Sequence, residues 1–159
     1  MNDMTKFAMG FQRWTTRCIS ARGRVPRVLV VDDNSNGADA LATYLGLGSK
    51  LQVAAVYGGA AAIAAACVWK PDVVLLDISM PEVDGFTVAK ALRGNARTAS
   101  TVIVALTAHD EGVVRQRSSD AEFDAYRQKG LMLNSLSSLL VSFTQDGSHE
   151  MNNVSWSSI

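Results

Sequence analysis

From Arg27 onward, short apolar runs alternate with stretches whose apolar residues recur every three or four positions. Residues 27–31, RVLVV, are rich in β-branched side chains and end abruptly in Asp32 and Asp33. That is how a buried parallel strand reads where it stops at a site. The following NSNGADALATYLG places Leu41 and Leu45 four apart behind Asn and Ser capping candidates, which predicts a helix. The alternation repeats: strand LQVAAVY, helix GGAAAIAAACVWK, strand DVVLLD, helix FTVAKALRG, strand TVIVALT, a weaker helix around EGVVRQRSS, short strand FDAYRQ and a last helix LNSLSSLLVSF.

Five strands alternating with five helices through short loops imply right-handed βαβ crossovers. The expected fold is α/β: a doubly wound, five-stranded parallel sheet of flavodoxin-like type with helices on both faces. It would form one domain over residues 25–143, preceded by an extension over 1–24 and followed by a flexible tail over 144–159. In such sheets the ligand site lies beyond the carboxyl ends of the strands, where the winding reverses. Those ends carry Asp32 and Asp33, Asp77, Thr107 and, after the last strand, Lys129.

Singly these residues say little, since an acidic pair after a strand is often only a helix cap favoured by the dipole. Together they say more: carboxylates within about 5 Å repel by roughly 3 kcal/mol per pair at an effective dielectric near 20. A cation is needed among them. Hard oxygen ligands suit Mg2+, which commonly bridges protein carboxylates to phosphate oxygens. Lys129 as a point charge and the Thr107 hydroxyl as a donor could hold the remaining phosphoryl oxygens. The set therefore reads as a phosphoryl acceptor site with Asp77 as nucleophile, the other acids being better placed for the metal.

The segments VLVVDDN, LLDISMPEVDGF, VALTA and AYRQKG, in that order and spacing, resemble the signature segments of response-regulator receiver domains of two-component systems. The resemblance covers about residues 26 to 143. It implies that Asp77 accepts phosphate from a histidine kinase or a histidine phosphotransfer protein. Asp33, Asp77 and the Ser79 carbonyl would bind Mg2+ directly, and Asp32 through water. Thr107 would move toward the phosphoryl group while the aromatic Tyr126 turns inward, changing the face made by the fourth helix, fifth strand and fifth helix. An ordinary half-buried strand tyrosine is the plainer reading of Tyr126. Ser79 and His109 stand where the family tunes phosphoryl lifetime, and an intermediate lifetime is expected; a solvent-exposed loop histidine without a role is the alternative for His109. Met80, Pro81 and Gly85 are expected to shape the loop after Asp77.

The chain departs from the family pattern in two places. Gly130 follows Lys129 where a proline joined by a cis bond is usual, and a cis bond before a non-proline costs about 2.5 to 4 kcal/mol, so a trans loop is anticipated. Glu122 stands where glycine is frequent.

Composition narrows the function. In 159 residues, 48% hydrophobic, Lys plus Arg and Asp plus Glu both total 15, so no global charge draws the chain to nucleic acid or to an anionic membrane. Cys18 and Cys67 lack metal-ligand spacing and form no disulfide framework, consistent with a reducing cytoplasm. No apolar run approaches the roughly 20 residues of a membrane span, and no leader is apparent at the start. Before the domain, Met4, Phe7, Phe11, Trp14 and Cys18 fall three and four apart with Lys6, Arg13 and Arg17 mostly off that stripe. This suggests a basic amphipathic helix for docking or a membrane surface, with a disordered start as the alternative. The Ser- and Asn-rich tail beyond Phe143 has no periodicity and is expected to be flexible, with Trp156 read either as incidental or as a docking residue, and no DNA-binding output domain is expected there.

The expected function is a signalling receiver that relays through protein contacts after Asp77 is phosphorylated. It would act on itself only, and is not an enzyme for an external metabolite. The downstream target stays open, and so does a homodimer. Two alternatives remain: a phosphorylation-independent docking module or phosphate sink, and an aspartyl-phosphate phosphatase. The latter would want an acid two residues after the nucleophile, where Ser79 stands.

Overall fold

The computed structural model describes residues 11–119, 122–131 and 133–144. Its strands are β1 (Phe11–Arg13), β2 (Arg27–Val31), β3 (Gln52–Val56), β4 (Val73–Asp77), β5 (Val102–Thr107) and β6 (Ala125–Gln128). Its helices are α1 (Ser35–Gly46), α2 (Gly59–Trp69), α3 (Gly85–Arg93), α4 (Glu111–Arg117) and α5 (Leu133–Ser142). One sheet runs β1-β6-β5-β4-β2-β3. Strands β2 to β6 are mutually parallel, as expected, and β1 lies antiparallel on the outer edge of β6.

The continuous apolar strands are explained by burial on both faces, with alternate residues feeding two cores. Leu29, Val31, Val74, Leu76, Ile103 and Ala105 face the side covered by α2, α3 and α4, where Ala62, Ala66, Val88, Leu92 and Val114 meet them. Val28, Val30, Val73, Leu75, Val102 and Val104 face α1 and α5, against Leu45, Leu136, Leu139 and Phe143. As the sequence suggests, Asn34 caps α1 by accepting from the Gly37 N–H; at the start of α3 Asp84 accepts from the Thr87 N–H.

The edge strand corrects two expectations. The sheet has six strands rather than five, and residues 11–13 are extended rather than part of an amphipathic helix. The short strand β6 would otherwise present unpaired N–H and C=O groups at the sheet edge, and β1 satisfies them. An odd separation along an extended chain sends two side chains to opposite faces. Accordingly Phe11 packs on the α1/α5 side and Trp14 on the α2/α3/α4 side, so they form no single stripe. Met4, Phe7 and Lys6, like the tail from residue 145 and Trp156, lie outside the described residues. Among the described residues no helix is long and apolar enough to cross a membrane, and Cys18 and Cys67 form no disulfide.

Candidate phosphoryl acceptor site

The winding reverses between β2 and β4, because β3 lies on one side of β2 while β4, β5 and β6 lie on the other. Register places Val31 beside Leu76 and Asp77 beside Leu106, so the strands end at one level. Their ends bring Asp32, Asp33 and Asp77 together, one carboxylate oxygen of each lying within 4.8 Å of the others. Asp77 is 4% exposed, Asp32 is partly buried and Asp33 faces solvent. Like charges at this spacing need a counter-charge, and Lys129 supplies one: its Nζ lies 2.8 Å from Asp32 Oδ2 and 3.2 Å from Asp77 Oδ2.

The loop that carries Lys129 is held where it leaves β6. The Lys129 N–H donates to the Thr107 carbonyl at 2.8 Å. Gly130 follows with a φ of +87°, open to glycine at little cost, and no peptide bond among the described residues is cis. The anticipated trans junction is thus present. Around the acids, the Asn34 N–H donates to Asp32 Oδ1 at 3.0 Å and the Ser79 N–H to Asp77 Oδ1 at 3.2 Å. Gly85 sits so close beneath Asp77 that a Cβ there would meet the Asp77 carbonyl oxygen at 2.5 Å.

Electrostatics separates the buried Asp77 from the partly buried Asp32. Burial would raise the Asp32 carboxyl, but the hydrogen bond from Lys129 and the Asn34 N–H hold it below the usual carboxylate range. Asp77 goes the other way: burial, with the Asp32 charge beside it, outweighs Lys129 and pushes its carboxyl up. For Lys129, burial is outweighed by the hydrogen bond to Asp32 and the Asp77 charge, which raise the ammonium above its ordinary value.

The remaining sequence candidates lie along one connected rim. Thr107 is buried and its Oγ1 accepts from the His109 N–H at 3.1 Å. Ser79 Oγ and His109 Nε2 are 2.8 Å apart. The Tyr126 hydroxyl donates to the His109 carbonyl at 2.6 Å. Tyr126 is 7% exposed, more covered than the half-buried tyrosine of the plainer reading. Met80 is buried in the core while Pro81 is exposed. Glu122 is buried, its Oε2 accepting from the Ser119 N–H. A cavity of about 450 Å³ opens beside the acids, lined by Asp32, Asn34, Leu41, Arg127, Lys129 and Gly130 among others.

The sequence of residues 28–140 matches the profile of the response regulator receiver domain. The chain belongs to that family. Within it, the chain is 38% identical over 108 residues to a protein-glutamate methylesterase/protein-glutamine glutaminase of Cereibacter sphaeroides, covering 66% of this chain and 29% of that protein. It is 38% identical over 111 residues to the transcriptional regulatory protein PrrA of Mycobacterium tuberculosis, covering 70% and 46%. The chain thus spans less than half the length of these relatives. Among solved structures, the Thermotoga maritima response regulator TrrA in complex with Mg2+-BeF is 27% identical with a TM-score of 0.66, over 74% of this chain and 98% of that one. The BeF3-activated receiver domain of Klebsiella pneumoniae RstA is 28% identical with a TM-score of 0.66, over 76% and 99%. As a receiver domain this chain is homologous to two-component regulators, and its three carboxylates are a donor set of hard oxygens of the kind Mg2+ takes.

Two residues fasten the N-terminal segment to the domain: Trp14, which the sequence placed on a helical stripe, at the rim, and Asp124, which the sequence reading did not single out, at the other end of β6. The Trp14 ring stacks on Tyr126 with centroids 6.1 Å apart and planes 3° from parallel. Asp124, fully buried, accepts from Thr15 Oγ1, Arg17 Nε, Arg93 and the Ile103 N–H. Asp124 had a signal: an acid inside the otherwise apolar FDAY strand. Trp14 had none, since its helical spacing pointed elsewhere.

Proposed function

We propose that this receiver accepts a phosphoryl group on Asp77 from a phosphohistidine of a kinase or phosphotransfer protein and relays the change by protein contacts. One relative, the sensor protein GacS of Pseudomonas syringae, is 34% identical over 125 residues, which supports a kinase as donor. The observation that carries the reading is Lys129 bridging Asp32 and Asp77 at the rim where the sheet's winding reverses.

A carboxylate oxygen of Asp77 forms the new P–O bond while the P–N bond of the donor breaks, its electron pair returning to the imidazole. Burial strips water from the Asp77 carboxylate, which favours attack, and the Ser79 N–H on Oδ1 holds the group in place. Asp33, Asp77 and the Ser79 carbonyl would hold Mg2+, with Asp32 acting through water. When bound, that ion would neutralise charge on the phosphoryl oxygens. Lys129 Nζ, already at Asp77 Oδ2, would follow the transferred group, and the Thr107 hydroxyl would donate to it. Ser79 and His109 would govern how quickly water removes it. The receiver unit is taken as residues 25–143 with 1–24 as an extension, acting catalytically on itself alone.

The test is incubation of the purified chain with Mg2+ and acetyl phosphate, followed by intact mass. A phosphoryl adduct on the wild type and none on Asp77→Ala is expected. No adduct on the wild type would sink the reading and favour a docking module.

A further inference from the structure

The face made by α4, β6 and α5 is not bare: residues 11–19 lie across it. Strand β1 pairs with β6 through Phe11 opposite Arg127, Gln12 opposite Tyr126 and Arg13 opposite Ala125. Beyond it, the Trp14 and Thr15 N–H groups donate to the Asp124 carbonyl at 2.7 and 3.2 Å, and the Ile19 N–H donates to the Phe143 carbonyl at 2.8 Å. Side chains fasten the same segment. Trp14 Nε1 donates to Glu111 of α4 at 2.9 Å, with the Arg115 guanidinium 4.3 Å from its ring centre. Arg13 donates to the Ser142 carbonyl at the end of α5 and lies 4.9 Å from the Phe143 ring centre. One short segment therefore touches all three elements of the face.

The same segment is linked to the acceptor by an unbroken run of contacts. Asp77 accepts from the Ser79 N–H, Ser79 Oγ meets His109 Nε2, the His109 carbonyl accepts from the Tyr126 hydroxyl, and Tyr126 stacks on Trp14. The His109 N–H also donates to Thr107 Oγ1, so the loop that positions Tyr126 is tied to Thr107 at the end of β5. Any rearrangement of Thr107 and His109 around a phosphoryl group would shift the carbonyl that holds the Tyr126 hydroxyl, and with it the ring on which Trp14 rests.

Residues 11–19 lie at the sheet edge, and none of them is fully buried. The strand is three residues long, its residues are only partly buried, and a cavity of about 560 Å³ lined by Trp14, Thr15, Thr16, Arg115, Ser118 and Phe123 separates part of it from α4. Partial burial at a short edge strand is the local character that lowers the cost of opening.

We propose that residues 11–19 form an autoinhibitory strap, which covers the α4–β6–α5 face while Asp77 is unmodified and loosens when Asp77 carries a phosphoryl group. The proposal rests on Asp77 being the acceptor. Coupling between the two sites is reciprocal: if loading the acceptor loosens the strap, removing the strap's anchor tightens binding at the acceptor.

The experiment uses the full chain with Mg2+ and acetyl phosphate, intact mass to measure the adduct, and hydrogen exchange read on peptides covering residues 11–19. Exchange there should rise by about fivefold or more, the low end of ordinary coupling, on phosphorylation of the wild type and not in Asp77→Ala. With beryllofluoride and Mg2+ as the probe, Trp14→Ala should bind about fivefold or more tightly than wild type, and Trp14→Phe, which keeps a stacking ring, should stay near it. Tyr126→Phe keeps the ring and loses the hydroxyl, so its strap should no longer respond to the adduct. An adduct with exchange unchanged or slowed over residues 11–19 overturns the strap and leaves the acceptor standing. The absence of any adduct overturns the acceptor, and the strap with it.

Discussion

Ser79 and His109, thirty residues apart in the chain, meet side chain to side chain at 2.8 Å, on loops that follow different strands. Each stands two residues beyond a residue of the proposed site, Ser79 after Asp77 and His109 after Thr107. Their pairing puts an exposed bridge over the mouth of the acceptor.

Removing half of that bridge opens the acceptor to water. In His109→Ala the phosphorylated form should lose its phosphoryl group several-fold faster than wild type, followed as decay of the adduct by intact mass after the donor is removed. An unchanged rate would take the histidine out of the argument.

The opposite shifts of Asp77 and Asp32 predict opposite effects of neutralising them. A carboxyl whose pKa is raised by folding costs stability once pH exceeds its unfolded value of about 3.9, and that cost persists to neutral pH. In metal-free buffer Asp77→Asn should therefore melt higher than wild type at pH 7. The gain should vanish below pH ~3.9, where the carboxyl is protonated folded or unfolded. Asp32, held low by the hydrogen bond from Lys129 against the effect of burial, contributes stability above its unfolded value and loses it as pH falls through its lowered one. Asp32→Asn should melt lower than wild type at pH 7, measured by the same thermal scans.

Gly85 leaves no room for a Cβ between α3 and the end of β4, with the Asp77 carbonyl at 2.5 Å and the Ile78 Cα at 2.7 Å from where it would stand. Gly85→Ala must push the backbone of the acceptor itself. An overpacking loss of about 1–3 kcal/mol is expected in urea titration, together with slower adduct formation from acetyl phosphate.

Asp124 is a buried carboxylate whose partners include two arginines, Arg17 at 3.0 Å and Arg93 at 2.6 Å. Truncation to alanine removes the carboxylate beside the partly buried Arg93, which keeps its bonds to the Ala99 and Thr101 carbonyls, and takes the acceptor from the buried Ile103 N–H. Asp124→Ala should cost about 3–5 kcal/mol in the same titration. A loss under 1 kcal/mol would show that water repairs the site.

Much of this was legible from residues alone. RVLVV, VVLLD and VIVALT have the unbroken apolar character of doubly covered strands, and the acids ending two of them mark the candidate site in the sequence alone. The alternation of strand and helix then set the winding, and the winding set where Asp32 and Asp77 converge. The edge of the sheet was harder. Phe11 and Trp14 have helical spacing, but intrinsic spacing is a weak preference, and an exposed strand edge with unpaired backbone groups overrode it.

By itself, then, the chain's pattern determined the parallel core and the rim of acids, because burial on both faces demands unbroken apolar strands and hydrophobic periodicity is local information. Only the tertiary structure decided that Ser79 meets His109, that Lys129 reaches both Asp32 and Asp77, and that Trp14 lies on Tyr126. Those contacts join residues from distant parts of the chain, and nothing in the spacing of one segment records which edge or which ring another segment will leave uncovered.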